Sequence, residues 1–161
     1  MKKKNILITG GTGSFGQHFT NFILKKNLFN KVIIFSRDEQ KQEQMFNKID
    51  KKYRNKIRFF MGDIRDKDRL LIALSDVDYL VHAAALKIVP SAEYNPTECI
   101  KTNVIGAQNV VECSLQLKIK KVLTLSTDKA CNPINLYGAT KLVADKLFIS
   151  ANFNNNNQNS I

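Results

Sequence analysis

Residues 9–16 read Thr-Gly-Gly-Thr-Gly-Ser-Phe-Gly, and no other segment restricts the fold of this chain so strongly. The segment follows an apolar, β-branched run at 5–9 and opens an amphipathic pattern at 14–26. Gly10, Gly13 and Gly16 stand at three-residue spacing. Glycine permits a tight turn, a close approach of backbone to ligand, and near contact between helix and strand. A strand that turns this sharply into a helix opens a βα unit.

The rest of the chain repeats the alternation. Apolar runs at 5–9, 32–36, 57–61, 79–82 and 121–126 read as strands, and 14–26, 39–51, 67–75, 96–117 and 136–151 read as helices. Strands apolar on both faces, each followed by a helix, predict an α/β fold with a parallel sheet covered on both sides. Right-handed crossovers then leave a doubly wound sheet of the Rossmann type. Pro96 suits the first turn of the fourth helix, and Asn95 is its expected N-cap. One domain is expected over 4–153 of the 161 residues, followed by an asparagine-rich tail at 154–161. A six-stranded sheet of this kind needs one more strand, so the tail reads as a truncation point.

The formal charge of +11 raises the question of nucleic acid. Much of it crowds one connection, at Lys48, Lys51, Lys52, Arg54, Lys56 and Arg58, with Tyr53 the lone aromatic there. A stacking platform needs interleaved rings, so a solvated basic face is expected and no nucleic-acid partner. No apolar run approaches the length of a bilayer span, and no signal-peptide core is present. A cytoplasmic location without a membrane partner follows. Cys99, Cys113 and Cys131 are odd in number and widely spaced, which fits reduced thiols rather than disulfides, and no metal site is expected. Cys113 reads as core packing, and His82, at the end of an apolar strand, as structural.

At the glycine turn, the amides of Gly10, Thr12, Gly13, Ser14, Phe15 and Gly16 are expected to cradle a diphosphate at a helix N-terminus. The end of the second strand bears on which dinucleotide. NAD sites usually place a carboxylate there, but this chain has Ser36-Arg37, with Asp38 displaced beyond them. An arginine fork pairs with a 2′-phosphate, so NADP is favoured over NAD. Lys41, one helical turn on, either adds charge or faces solvent. Asp63, before Ile64, either accepts from an adenine amino group or caps the next turn.

Tyr137 and Lys141 stand four apart, on one face of the last helix. Tyrosine is a poor base at neutral pH unless a neighbouring cation favours its phenolate. Thr127-Asp128-Lys129 follows the fifth strand, where such sheets hold substrates. An acid and an amine in succession exceed the needs of hydride transfer. Lys129 must be neutral to act as a base, and a surface turn capped by Asp128 stands as the alternative.

Residues 9–16 (TGGTGSFG), 36–38 (SRD), 83–90 (AAALKIVP), 92–103 (AEYNPTECIKTN) and 126–141 (STDKACNPINLYGATK) together resemble the inverting UDP-N-acetylglucosamine 4,6-dehydratases. These are extended short-chain dehydrogenase/reductases that open pseudaminic-acid biosynthesis. The resemblance runs over about 4–153 and implies a mechanism. Tyr137 deprotonates the C4 hydroxyl, Lys129 removes the C5 proton, Asp128 protonates the departing C6 hydroxyl, and C5 is reprotonated from the opposite face. It further implies that Thr127 and Lys87 contact substrate or cofactor, that Ala83, Ala84 and Thr102 line the dinucleotide site, and that family members form homo-oligomers. Where close relatives usually carry histidine after Lys87, this chain has Ile88. The family continues into a C-terminal substrate domain that this sequence lacks. The alternatives are an inactive NADP-binding fragment and a retaining dehydratase or epimerase of the same superfamily.

Overall fold

The computed structural model describes residues 4–154. Its strands are β1 (Asn5–Thr9), β2 (Lys31–Ser36), β3 (Ile57–Met61), β4 (Tyr79–His82) and β5 (Lys121–Thr124). They form one sheet in the order β3-β2-β1-β4-β5, every pair parallel. The helices are α1 (Ser14–Lys25), α2 (Glu39–Lys48), α3 (Lys67–Leu74), α4 (Val89–Tyr94), α5 (Pro96–Ile100), α6 (Gly106–Gln116) and α7 (Leu136–Asn154).

Strand period explains the two layers. On β1, Leu7 joins a core with Leu80, Val122 and residues of α3, α6 and α7. Its neighbours Ile6 and Ile8 point the other way, into a core with Ile34, Val81, Ile23 and Met45 from α1 and α2. All five residues of β1 are buried, as a central strand covered on both faces must be. The strand order reverses between β1 and β4, which pair directly. The crevice at the carboxyl ends of those strands is where such a sheet can hold a ligand.

Several boundaries differ from the sequence reading. The helix expected over 96–117 is α5 and α6 joined by a π-turn at Lys101–Ile105, where the Gly106 amide reaches back to the Lys101 carbonyl. A separate α4 precedes it. Asn95 is therefore a joint between two helices and does not cap: its side-chain amide donates to the Ser91 carbonyl at 3.0 Å, closing α4. The second helix stops at Lys48, before a 3₁₀ turn at Lys51–Tyr53. The fifth strand stops at Thr124, opposite His82 where β4 also ends. The last helix runs to Asn154, because Phe148 and Ala151 anchor it to the core. The expected tail from 155 lies outside the described residues. Among those described, no helix is long and apolar enough to cross a membrane.

Candidate active site

The glycine turn is locked from three sides. Gly10 has φ of 63°, and a β-carbon there would stand 2.8 Å from the Ala84 backbone, so both conformation and contact require glycine. The Gly10 amide donates to the Phe35 carbonyl and the Gly13 amide to the Gly10 carbonyl, each at 2.9 Å. Gln17 ties the Thr12 carbonyl from α1 at 2.7 Å. Gly13 is the N-cap of α1 and offers no side-chain cap. The first-turn amides of Ser14, Phe15 and Gly16 thus have no acceptor within the helix, and all three residues line the crevice.

Thr9 and His82, neighbours across β1 and β4, form the floor. Thr9 Oγ1 accepts from the Ala83 and Ala84 amides at 3.2 and 3.3 Å. Its own hydrogen therefore goes to His82 Nδ1, 2.8 Å away, which leaves the ring proton on Nε2. Burial, aided by the Lys141 charge, pushes the imidazole down to about 3. His82 is a neutral, buried hydrogen-bond acceptor.

At the end of β2, Arg37 pairs with Asp63 at 3.3 Å. Arg65, which the sequence reading missed, grips the same carboxylate through Nε and Nη2 at 2.9 and 2.7 Å, and reaches Glu98. Burial works to raise the Asp63 pKa, but the Arg65 hydrogen bonds and the Arg37 charge outweigh it and hold the carboxyl below its ordinary value. Asp63 also takes the Arg65 amide at 2.9 Å, closing the turn after β3. Asp38 caps α2 through the Lys41 amide at 2.9 Å, and Lys41 Nζ lies 3.1 Å from the same carboxylate.

At the opposite end, Lys141 is 5% exposed and donates to the Leu125 carbonyl at 2.6 Å. Burial lowers its pKa, partly opposed by Asp145. Ser126 donates to Asp145. Asn135 accepts from the Gly138 amide at 2.8 Å and so caps α7. Asn103, in the π-turn, holds both polar groups of Leu86 at 2.8 and 2.9 Å and reaches Thr140 Oγ1 at 3.1 Å. One buried amide thereby fixes the loop carrying Lys87 against the helix carrying Tyr137.

These parts enclose a cleft of about 680 Å³, within the range of ligand sites. Gly10 and residues 12–16 line it at one end, with Ser36, Arg37, Asp38, Lys41, Asp63 and Ile64 beside them. Ala83, Ala84, Lys87, Thr102, Tyr137 and Lys141 complete it. Thr127, Asp128 and Lys129 are not in its wall. They form a turn just past Ser126, in which Lys129 Nζ lies 3.4 Å from Asp128 and the two side chains are 49% and 85% exposed. The Thr127 hydroxyl and the Lys129 charge hold the Asp128 carboxyl below its ordinary value.

The residues fit a dinucleotide on two counts beyond the amide cradle. Among the described residues Thr102 Oγ1, buried on the cleft wall, has no hydrogen-bond partner, and a bound ligand can satisfy such a group. The adjacent wall carries Arg37 and Lys41, suited to phosphate.

Comparison with known proteins agrees with this architecture. Residues 6–161 match the family described as polysaccharide biosynthesis protein. Over 149 residues the chain is 59% identical to UDP-N-acetylglucosamine 4,6-dehydratase (inverting) of Campylobacter jejuni subsp. jejuni serotype O:23/36 (strain 81-176), covering 92% of this chain and 44% of that protein. It is 46% identical over 150 residues to UDP-glucose 4-epimerase of Rickettsia typhi (strain ATCC VR-144 / Wilmington), covering 91% and 43% respectively. The X-ray structure of Pen from Bacillus thuringiensis superposes with a TM-score of 0.87 at 42% identity, over 94% of this chain and 46% of that one. The chain thus spans less than half the length of these relatives. With a match reaching from residue 6 to residue 161, it belongs to the polysaccharide biosynthesis protein family.

Proposed function

We propose that this chain is the dinucleotide-binding and catalytic portion of an NADP-dependent UDP-N-acetylglucosamine 4,6-dehydratase that inverts C5. The observation that carries the proposal is the convergence of Tyr137 and Lys141 on the same cleft as the open amides of Ser14, Phe15 and Gly16. The 59% identity to a dehydratase of that activity supports it.

The first-turn amides of α1 hold the diphosphate, Arg37 and Ser36 the 2′-phosphate, and Thr102 and Lys141 the far ribose. A dinucleotide held there would supply the hydride chemistry of the reaction. Tyr137 takes the C4 hydroxyl proton, with Lys141 beside it on the cleft wall. Lys129 Nζ removes the C5 proton, acidified by the C4 ketone. Asp128 gives a proton to the C6 hydroxyl as it leaves. Both of these groups now face water, so their roles require a cover that desolvates them and parts their ion pair. A chain of the relatives' full length has room to supply it. The soluble pseudaminic-acid pathway, a cytoplasmic location and a homo-oligomer belong to this reading.

The similarity to a UDP-glucose 4-epimerase favours a second reading. Epimerisation needs hydride transfer and Tyr137 but leaves Asp128 and Lys129 without work.

Incubation with UDP-N-acetylglucosamine and NADP separates the readings. We expect the 161-residue chain to bind NADP and release no product, and a 4-keto-6-deoxy sugar to form when the C-terminal portion of the Campylobacter jejuni relative is joined to it. A C4 epimer would favour the second reading, and failure to bind any dinucleotide would overturn both.

A further inference from the structure

We infer that Gln42 sets the dinucleotide preference by holding the Ser36 hydroxyl as a hydrogen-bond donor toward a 2′-phosphate. This rests on the NADP reading above. Gln42 lies on α2, 7% exposed and behind the cleft wall, while Ser36 ends β2 and lines the cleft. Gln42 Nε2 stands 3.0 Å from Ser36 Oγ, 3.1 Å from the Ser36 carbonyl and 3.4 Å from the Phe60 carbonyl.

These neighbours fix which end of the amide faces Ser36. An oxygen in that place would confront two carbonyl oxygens, so the group is the NH₂. Ser36 Oγ therefore accepts from Gln42. Among the described residues Gln42 is the one partner of that hydroxyl, and its hydrogen is left for the cleft. A serine held this way is biased toward donating, as a phosphate oxygen requires. A freely turning serine would serve a ribose hydroxyl equally well, as acceptor or donor. The surroundings agree in sign. The Asp38 carboxylate, which opposes a phosphate, is paired with Lys41 at 3.1 Å, and Arg37 stands next to Ser36. The same amide ties α2 to β2 and β3, so its effect on preference must be separated from its effect on stability.

A double-mutant cycle on binding does so. Dissociation constants for NADP and NAD are measured by calorimetry on the intact chain, on Ser36→Ala, on Gln42→Met and on the double variant. We expect the intact chain to prefer NADP, Ser36→Ala to lose about tenfold of that preference, and Gln42→Met to lose roughly three- to tenfold. The double variant should be no worse than Ser36→Ala, because Gln42 acts through that hydroxyl. If Gln42→Met lowers the ratio by the same factor with and without Ser36, the inference fails while the NADP reading stands. If the intact chain prefers NAD, the NADP reading itself fails. Should Gln42→Met not fold, the side-chain amide signals of Gln42 in the intact chain decide. Movement on saturation with NADP but not with NAD supports the assignment, and equal response to both overturns it.

Discussion

The carbonyl oxygen of Lys129 rests against Gly138, in the space a β-carbon would occupy. This contact seats the 3₁₀ turn of Asp128–Ala130 on the first turn of α7, and so sets two of the proposed catalytic groups relative to Tyr137. Alanine at a helical glycine ordinarily stabilises by about 0.5–1 kcal/mol. Here the added carbon would also stand 3.1 Å from Pro133 Cβ, leaving the backbone no easy retreat. Overpacking of that kind costs about 1–3 kcal/mol, so the clash wins. Gly138→Ala should lower the unfolding free energy by about 1–2 kcal/mol in urea. A rise in stability would show the turn free to move aside.

Arg37 reaches the cleft but is shared with Asp63 at 3.3 Å and is half exposed. Its removal should weaken NADP by about tenfold or more, the scale of a charge-assisted hydrogen bond, and leave NAD almost untouched. Dissociation constants for the two dinucleotides give the answer. Equal loss for both would remove Arg37 from 2′-phosphate recognition.

Lys129 and Asp128 are assigned different protons, and isotopes can tell them apart. In this chain joined to the relatives' C-terminal portion, Lys129→Ala should abolish exchange of the C5 proton with deuterated water. Asp128→Asn should retain that exchange while slowing loss of the C6 hydroxyl. Both variants should bind NADP as the parent does, since neither side chain lines the cleft. Persistent C5 exchange in Lys129→Ala would assign the base elsewhere.

The residues that announced themselves in the sequence did so through local rules. β1 reads as a central strand because Asn5–Thr9 is apolar on both faces, and Gly10 marks a turn that only glycine can make. The π-turn gave no such signal. An inserted backbone residue leaves the apolar spacing of 96–117 nearly intact, and its cause is tertiary: Gly106 packs on Ile64 and Asn103 on Leu86. The asparagines after Ala151 argue for a loop by propensity, yet the anchored α7 carries them on to Asn154. Gln42, Arg65 and Gly138 matter through groups distant in sequence or only brought together by folding. The exposure of Asp128 and Lys129 likewise depends on what covers them, which no spacing rule contains.

Thr102 combines a fault in the fold with a proposed use. Its buried hydroxyl has no hydrogen-bond partner among the described residues. Replacing an unsatisfied buried hydroxyl by a methyl of the same shape is neutral or stabilising. Thr102→Val should therefore unfold at equal or higher temperature and bind NADP several-fold more weakly. If affinity is unchanged, the hydroxyl does not meet the ligand.

His82 gives the fold a pH limit with a definite sign. In the unfolded chain the imidazole takes a proton near 6.5, but in the folded one only near 3. Below pH 6.5 the unfolded state binds the extra proton, so the stability present above that pH is lost as pH falls toward the folded value. The slope approaches about 1.4 kcal/mol per pH unit, or about 2 kcal/mol between pH 7 and pH 5. The carboxyls of Asp38, Asp63, Asp78 and Asp128 are all held below their ordinary range, so they titrate beneath this window. His82→Asn keeps an acceptor near Nδ1 for the Thr9 hydroxyl and removes the titration. Urea unfolding at pH 7, 6 and 5 should show the decline in the parent chain and a nearly flat response in the variant. The same decline in both would place the titrating group elsewhere and release His82 from its neutral, accepting role beneath the cleft.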